Sequence, residues 1–441
     1  MKYLYTFLGL FAVASGGYYV AADNTIPWQV ESPATILDGT FELGDVIVSS
    51  ATGSRYRVGQ DSLRGYPIDS IAVIPVNVGY AILEPDNGTI TPTMFDLPEW
   101  GESTTAAEQR TMDFAGANRF VGEVRYAAGY FYKRDSGEVV VVSHRIADHG
   151  RFTFNVSGPG ATIRVGENAK GFLFKANDSP SRPGTTECKL TFENLAFEGG
   201  NRTGSMGIRT AGASRSITRN IRFNRLDTGM LATFCLNSTI EDVWVGQCKT
   251  AGLVLAADGA PGIPSLWKGA SQTNSAFNVN TVRQIRIFGA AGNHVGIDVK
   301  SGSSNRLEDI TIEGVQGDIG IRILEYLNPV AGGNIISNVH FEDQAPDRAV
   351  GSIGIYLGSQ HGMVDPYVLT GIKKQTSSGT SDTLVYLEQK ANAVFDRVAF
   401  PWYQGDHSFI TVMEMEAAAK YDGYDLATEV LNANPKRLIE K

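Results

Sequence analysis

The sequence predicts an all-β protein whose long central part is a right-handed, single-stranded parallel β-helix. Two recurring phrases and their spacing predict it. The first phrase reads apolar, any, Asn/Asp/Gln, apolar, any, apolar. It appears as Phe192-Glu193-Asn194-Leu195-Ala196-Phe197, Ile240-Glu241-Asp242-Val243-Trp244-Val245, Val282-Arg283-Gln284-Ile285-Arg286-Ile287, Leu307-Glu308-Asp309-Ile310-Thr311-Ile312 and Ile336-Ser337-Asn338-Val339-His340-Phe341. Looser copies are Asn220-Ile221-Arg222-Phe223 and Phe395-Asp396-Arg397-Val398-Ala399-Phe400. The second phrase follows each anchor and reads Gly, apolar, any, apolar. Its copies are Gly252-Leu253-Val254-Leu255, Gly296-Ile297-Asp298-Val299, Gly320-Ile321-Arg322-Ile323 and Gly354-Ile355-Tyr356-Leu357. Gly207-Ile208 and Gly229-Met230 are weaker forms, and Leu384-Val385-Tyr386-Leu387 lacks the Gly.

The polar anchors at 194, 220, 242, 284, 309, 338 and 397 step by 26, 22, 42, 25, 29 and 59 residues. A period in the twenties signals a solenoid. The step of 42 reads as one coil carrying an insertion, and the step of 59 as about two coils. Apolar residues alternate with a period of two, so each coil holds short strands rather than helices. Such strands bury their apolar face only by stacking on the next coil, about 4.8 Å away. Phe197, Val245, Ile287, Ile312 and Phe341 hold one place in the phrase and are expected in one internal column. Gly and Asn are expected at tight turns that need positive φ.

The remaining elements follow in chain order. Residues 1–24 carry an apolar stretch from Leu4 to Val13 behind Met1-Lys2, with Ala12-Val13-Ala14 as a possible cleavage site. That outline fits a secretory signal peptide; flanking Tyr3, Tyr5, Tyr18 and Tyr19 fit an apolar assembly segment instead. Residues 25–104 read as a small β attachment domain and linker. Within it, 40–48 and 54–58 form a hairpin-like pair, and 92–104, with Pro92, Pro98, Trp100 and Gly101, form the linker. Ala106 to Phe114 reads as one amphipathic helix, opening a β-helix expected over 105–400. Residues 401–441 read as a C-terminal segment, helical over Phe409–Lys420 and Tyr424–Leu431.

Composition narrows the function. A chain of 441 residues can bury a large core, and its net charge of −9 argues against nucleic acid as a partner. The 49 Gly against 17 Pro suit a turn-rich β protein. Three cysteines, Cys188, Cys235 and Cys248, cannot build a disulfide framework, and two of them fall at apolar coil positions. No Cys/His cluster has metal spacing, and no Gly-rich phosphate loop opens a helix, so no cofactor or metal is expected.

The segment Ala106–Phe114, then Glu123–Tyr132, then Val156–Ile163, followed by the coils, resembles the entry to the pectate-lyase-like β-helix of bacteriophage tailspikes and related carbohydrate-active proteins. The resemblance covers residues 105–400. It departs at Phe95–Glu102, which replaces the Gly-rich stretch common before the entry helix. It implies a virion tail spike or fibre that binds host cell-surface polysaccharide and can act as a depolymerase, forms a homotrimer, and meets other tail proteins through its N-terminal region. A secreted bacterial polysaccharide lyase or hydrolase, and a structural virion protein without activity, are the alternatives. Neither the Asp-Asp pair nor the Gly-His-Gly of the pectin hydrolases is present; Gln360-His361-Gly362 is the nearest approach.

Outward residues of successive coils stack into stripes. On the second strand these are Arg209, Val254, Asp298, Arg322, Tyr356 and Tyr386; on the first they are Arg222, Trp244, Arg286, Thr311 and His340. Depolymerases work with a pair of acid and base groups, so Asp298 as base with Arg322 beside it is the candidate couple. Tyr356, Trp244, Tyr386 and Trp267 are the candidate sugar-stacking groups, with the 256–276 insertion flanking the site. A surface ion pair between Asp298 and Arg322 is the plainer reading. Asp242, Asp309, Asn194 and Asn338 are expected as turn formers.

Overall fold

The computed structural model describes residues 27–141 (without 51 and 65), 153–176, 189–266, 277–288, 294–313, 319–326, 333–342, 353–359, 366–375, 382–387, 393–396, 408–412, 420–421 and 424–425. Two compact units are present, one of residues 27–62 and 68–84 and one of residues 63–67 and 85 onward. The first is a five-stranded mixed sheet in which Val46–Ser49 and Arg55–Gly59 pair antiparallel, as the hairpin pattern expects. Ile36, Ile47, Tyr56, Val73, Ile74 and Ala81 form its core, and the Tyr56 hydroxyl donates 2.7 Å to the Ile71 carbonyl. Residues 85–104, read from the sequence as the end of the first domain, belong to the second unit. Thr89–Ile90 pairs in parallel with Glu123–Val124, and Phe95 packs against Phe114.

The second unit is a parallel β-helix. A 13-stranded sheet and a 10-stranded sheet run along it, and every coil adds one run to each. The anchor phrases pair phrase to phrase. Phe197, Phe223, Val245, Ile287, Ile312 and Phe341 are directly in register, and all are buried. The step of 42 is one coil with an insertion, since Thr239–Gly246 pairs directly with Thr281–Phe288. The step of 59 is two coils: Gly371, at φ +64°, takes the anchor place between Asn338 and Arg397. A glycine there satisfies the backbone without matching the polar pattern.

Positive φ explains the anchors. Asn194, Asn220, Asp242, Gln284, Asp309 and Asn338 all lie between φ +50° and +58°. Asn and Asp tolerate this left-handed conformation better than most residues. One such residue breaks the two-residue alternation, so inward residues fall on both sides of a corner, as Ile240 and Val243 do around Asp242. The recurring Gly of the second phrase has a different cause. It does not sit at positive φ; a Cβ on Gly252 would lie 2.6 Å from the Gly296 carbonyl oxygen, and one on Gly296 would lie 2.5 Å from that of Gly320. The coils approach too closely there for any side chain.

A second column inside the coil is polar. The Asn305 amide oxygen accepts from Asn280 N at 3.0 Å and Asn280 Nδ2 at 3.2 Å, while Asn305 Nδ2 donates to Phe277 O at 2.8 Å and Asn334 Oδ1 at 3.0 Å. Ser238 and Ser216 continue it upstream, with Ser238 N donating to Asn280 Oδ1 at 2.8 Å and Ser216 N to Ser238 Oγ at 3.1 Å. This ladder satisfies backbone groups at the turn before each anchor strand.

The helix Thr105–Ala117 forms where expected and covers the start of the coils. Its Glu108 is fully buried and pairs with Arg134, also fully buried. Thr104 Oγ1 donates 2.6 Å to Glu108, Arg134 Nη2 donates 3.2 Å to the Tyr126 hydroxyl, and the Arg134 guanidinium stands 4.4 Å from the Phe172 ring centre. Within the expected C-terminal helix, Ser408–Val412 is instead a strand, paired in parallel with 382–387. Ser-Phe-Ile-Thr-Val is rich in β-branched and aromatic residues, and the open edge of the last coil offers it hydrogen bonds. The short strands at 420–421 and 424–425 pair with each other, and the other residues of 413–441 lie outside the described set. Cys235 and Cys248 are buried, and burial pushes their thiols up to about 11 and about 12. Among the described residues no helix is long and apolar enough to cross a membrane.

His294, just before the strand Val295–Lys300, sets one acid limit. It is fully buried, and burial pulls its pKa from 6.5 down to about 4. Below about pH 6.5 the unfolded chain takes up a proton that the folded chain refuses until about pH 4, so stability falls with pH across that window. At about 1.4 kcal/mol per pH unit, the loss is on the order of 3 kcal/mol. The urea midpoint of the wild type should therefore drop more between pH 7 and pH 5 than that of His294→Gln. Equal drops would assign the acid sensitivity to other groups.

Candidate functional site

The second-sheet stripe is in register as its repeat spacing requires. Leu173, Arg209, Leu231, Val254, Asp298, Arg322, Tyr356 and Tyr386 are successive partners in neighbouring strands. The structure therefore brings Asp298, Arg322 and Tyr356 together on three consecutive coils. Tyr386 is next in the backbone register, and its side chain lies outside the described residues, as does all of Trp267. Trp244 lies in the other sheet, on another face of the coil.

The stripe is not open along its length. Residues 257–266, the described half of the insertion, lie across its first coils. Arg209 Nη2 donates 2.9 Å to Pro264 O, and Lys300 Nζ donates 3.1 Å to Pro261 O. Asp258 is nearly fully buried; it accepts from Leu266 N at 3.1 Å and from the Ser265 hydroxyl. Ala257, Ala260 and Ile263 pack on Leu231 and Val254 beneath. Burial lowers the Arg209 pKa, with Glu138 and Asp258 acting against it.

Asp298 stands at the margin of this cover. Its side chain is 5% exposed, against 26% for Arg322. Arg322 grips both carboxylate oxygens, Nε to Oδ1 at 2.9 Å and Nη2 to Oδ2 at 2.7 Å. Lys300 Nζ stands 3.6 Å from Oδ2. A two-pronged guanidinium–carboxylate pair is strong and geometrically specific. The Asp298 hydrogen bonds raise the Arg322 pKa, against the opposing effect of burial. Arg322, held flat by Asp298 and followed by the half-buried Tyr356, offers an outward cation and a phenol in one row. Lys300 and the Pro261 carbonyl complete the cluster. Sequence reasoning missed Lys300 because it lies outside the repeated phrase, two residues after Asp298.

On the other face Trp244 is half-buried, and its ring lies against Gly246, where a Cβ would come within 2.1 Å of Cη2. Arg222 stands 4.2 Å over the indole, and the Phe288 ring centre lies 5.4 Å away. Gly246 and Phe288 were not read as site residues, although a glycine two positions after an outward Trp marks a strand surface that admits a flat ring. Among the described residues, no group of three or more His, Cys, Asp or Glu side chains is placed to hold a metal ion.

No family model and no curated protein matches the chain. Solved structures do. Tailspike protein 2 from Escherichia coli O157:H7 bacteriophage CAB120 superposes with a TM-score of 0.51 at 12% identity, covering 89% of this chain and 52% of that one. This protein has the tailspike-like parallel β-helix fold. The tailspike protein of the Acinetobacter phage vB_ApiP_P1 matches with a TM-score of 0.48 at 11% identity, over 90% of this chain and 77% of that one. Pantoea stewartii WceF, described as a glycan biofilm modifying enzyme with a tailspike-like fold, matches with a TM-score of 0.43 at 10% identity, over 76% of this chain and 48% of that one. The chain spans about half the length of the tailspike protein from phage CAB120.

Proposed function

We propose that this chain is a virion tail spike or fibre protein whose β-helix binds host surface polysaccharide. One observation carries the reading: Asp298, Arg322 and Tyr356 stand in register on three coils at the edge of the strap, as an ordered row of charge and aromatic surface. Strands in a sheet are about 4.8 Å apart, close to the length of a sugar residue, so an extended glycan touches the row coil by coil. Tailspike-like neighbours support this reading of the fold. In the same reading the N-terminal unit attaches the chain to other tail proteins, the protein is a homotrimer, and it resides in the phage tail.

The geometry favours binding over turnover at this row. Asp298 is 5% exposed, with Arg322 bonded to both of its oxygens and Lys300 Nζ 3.6 Å from Oδ2, so little of the carboxylate is open to a substrate proton. We therefore assign Arg322 and Tyr356 to glycan contact and Asp298 to orienting Arg322. Tyr386 and Trp267 extend the same assignment. Arg322→Ala and Tyr356→Ala should each weaken binding to the host surface polysaccharide about tenfold, equal to about 1.4 kcal/mol. Asp298→Asn should weaken it less, because an amide still bonds the guanidinium once. Isothermal titration on the full chain, with the thermal midpoint as a folding control, checks this. Unchanged binding in all three folded variants would remove the row from the site. An inactivation of depolymerisation by Asp298→Asn with binding intact would instead make Asp298 the base.

A further inference from the structure

The first sheet carries two outward columns that differ in charge balance. The column before the anchors neutralises itself. Arg219 bonds Glu193 at 2.7 Å, and Arg283 bonds Glu241 at 2.9 and 2.6 Å, each on a neighbouring coil. The column after the anchors does not. In register it reads Ala196, Arg222, Trp244, Arg286, Thr311, His340 and Lys373. It contains no carboxylate, on a chain of net charge −9. Among the described residues Arg222 makes no ion pair; its partner is the Trp244 ring. Arg286 is 61% exposed and forms only a long ion pair, its Nε 3.8 Å from Glu313 Oε1. Glu342 stands 3.9 Å from His340.

We propose that this column is a binding stripe for an acidic polysaccharide, with Arg222 and Arg286 taking its carboxylates and Trp244 orienting Arg222. The inference rests on the polysaccharide-binding reading above and adds to it a second face and a charge class. Three facts argue it. Arg222, without an ion pair among the described residues, and Arg286, exposed and held only by a long pair, are complementary to an anionic ligand, and guanidinium binds carboxylate through two parallel hydrogen bonds. The guanidinium of Arg222 is already held flat on an indole that Gly246 and Phe288 lay down, so less side-chain freedom is lost on binding. Arg222 and Arg286 flank Trp244 on either side, so they are two strands apart, about 9.6 Å. An acidic sugar recurring every second residue of a glycan presents one carboxylate to each.

The test uses the full chain with polygalacturonate, alginate and the carboxyl-reduced form of each, titrated at low and high salt. The wild type should bind the acidic polymers at least tenfold more tightly than their reduced forms, with an advantage that fades in salt. Arg222→Ala/Arg286→Ala should erase that advantage. Trp244→Ala should weaken binding no further when combined with Arg222→Ala, because Trp244 acts through Arg222; a purely structural Trp would weaken it additively. The proposal is overturned if wild type binds acidic and reduced polymers alike, if the double variant is unchanged, or if single-stranded DNA binds as tightly as the polyuronates. A double variant that keeps wild-type binding to host surface polysaccharide sinks this stripe and leaves the proposed function standing. A wild type that binds neither host polysaccharide nor polyuronate sinks both.

Discussion

Glu108→Ala should destabilise the β-helix by about 3–5 kcal/mol, the cost of stranding a buried charge. The Glu108 and Arg134 side chains are both 0% exposed. Arg134 bonds only Glu108 and the Tyr126 hydroxyl among the described residues, and its guanidinium lies over Phe172, inside the first coil. Removing the carboxylate leaves that cation in an apolar site with one neutral hydrogen bond. The Glu108 interaction is also what raises the Arg134 pKa, against a larger opposing effect of burial, so the charge depends on its partner. Replacing both groups, as in Glu108→Leu/Arg134→Met, should recover most of the loss, because well-packed apolar residues often replace a buried pair at no cost. Urea midpoints of the single and double variants decide it. A single variant within error of wild type would mean that water reaches Arg134. A double variant as unstable as the single would mean that helix 105–117 needs the ion pair to dock.

How far the sequence carried the structure depends on which atoms make each contact. The internal apolar columns were legible because each coil repeats them at one place, and stacking admits only one register for such a pattern. The anchors were legible as polar residues, and their positive φ follows from the residue types that tolerate it. The step of 59 counted the coil at Gly371, but its anchor was hidden because glycine meets the same backbone demand without a side chain to mark it. The purpose of the recurring Gly was misread: it is close approach of neighbouring coils, which no single coil shows. In the site, the row Asp298–Arg322–Tyr356 followed from the repeat. The depth of Asp298 did not: Arg322 and Lys300 stand against its carboxylate, and Lys300 is tied in turn to Pro261 of the strap, distant in sequence. The pairing of helix and strand through Glu108 and Arg134 is likewise tertiary, and neither residue lies in a motif.

The Asn ladder escaped notice for a compositional reason and yields the other large effect. Its rungs, four residues before the anchors, are Ser216, Ser238, Asn280, Asn305 and Asn334, so no single letter recurs. Asn305 is the middle asparagine, and its side chain makes four hydrogen bonds. Asn305→Ala removes the acceptor of Asn280 N and the donor to Phe277 O, both in the buried turn. Each orphaned buried group costs about 1–3 kcal/mol, so the variant should lose about 3–5 kcal/mol. Ser238→Ala should cost less. Its hydroxyl accepts from Ser216 N and donates to Leu236 O, and Ser238 N keeps its bond to Asn280. Asn305→Asp should fall close to Asn305→Ala, because the carboxylate keeps the acceptor for Asn280 yet loses both donors and buries a charge against the Asn334 amide oxygen. Rungs in one network should also couple: Asn280→Ala/Asn305→Ala should cost less than the sum of the singles, since the bonds between them are lost only once. Thermal midpoints measured with a reversible scan, read beside urea midpoints, test the order. If Asn305→Ala costs no more than Ser238→Ala, the ladder adds no more than isolated hydrogen bonds, and the stacked apolar columns alone hold the coils in register.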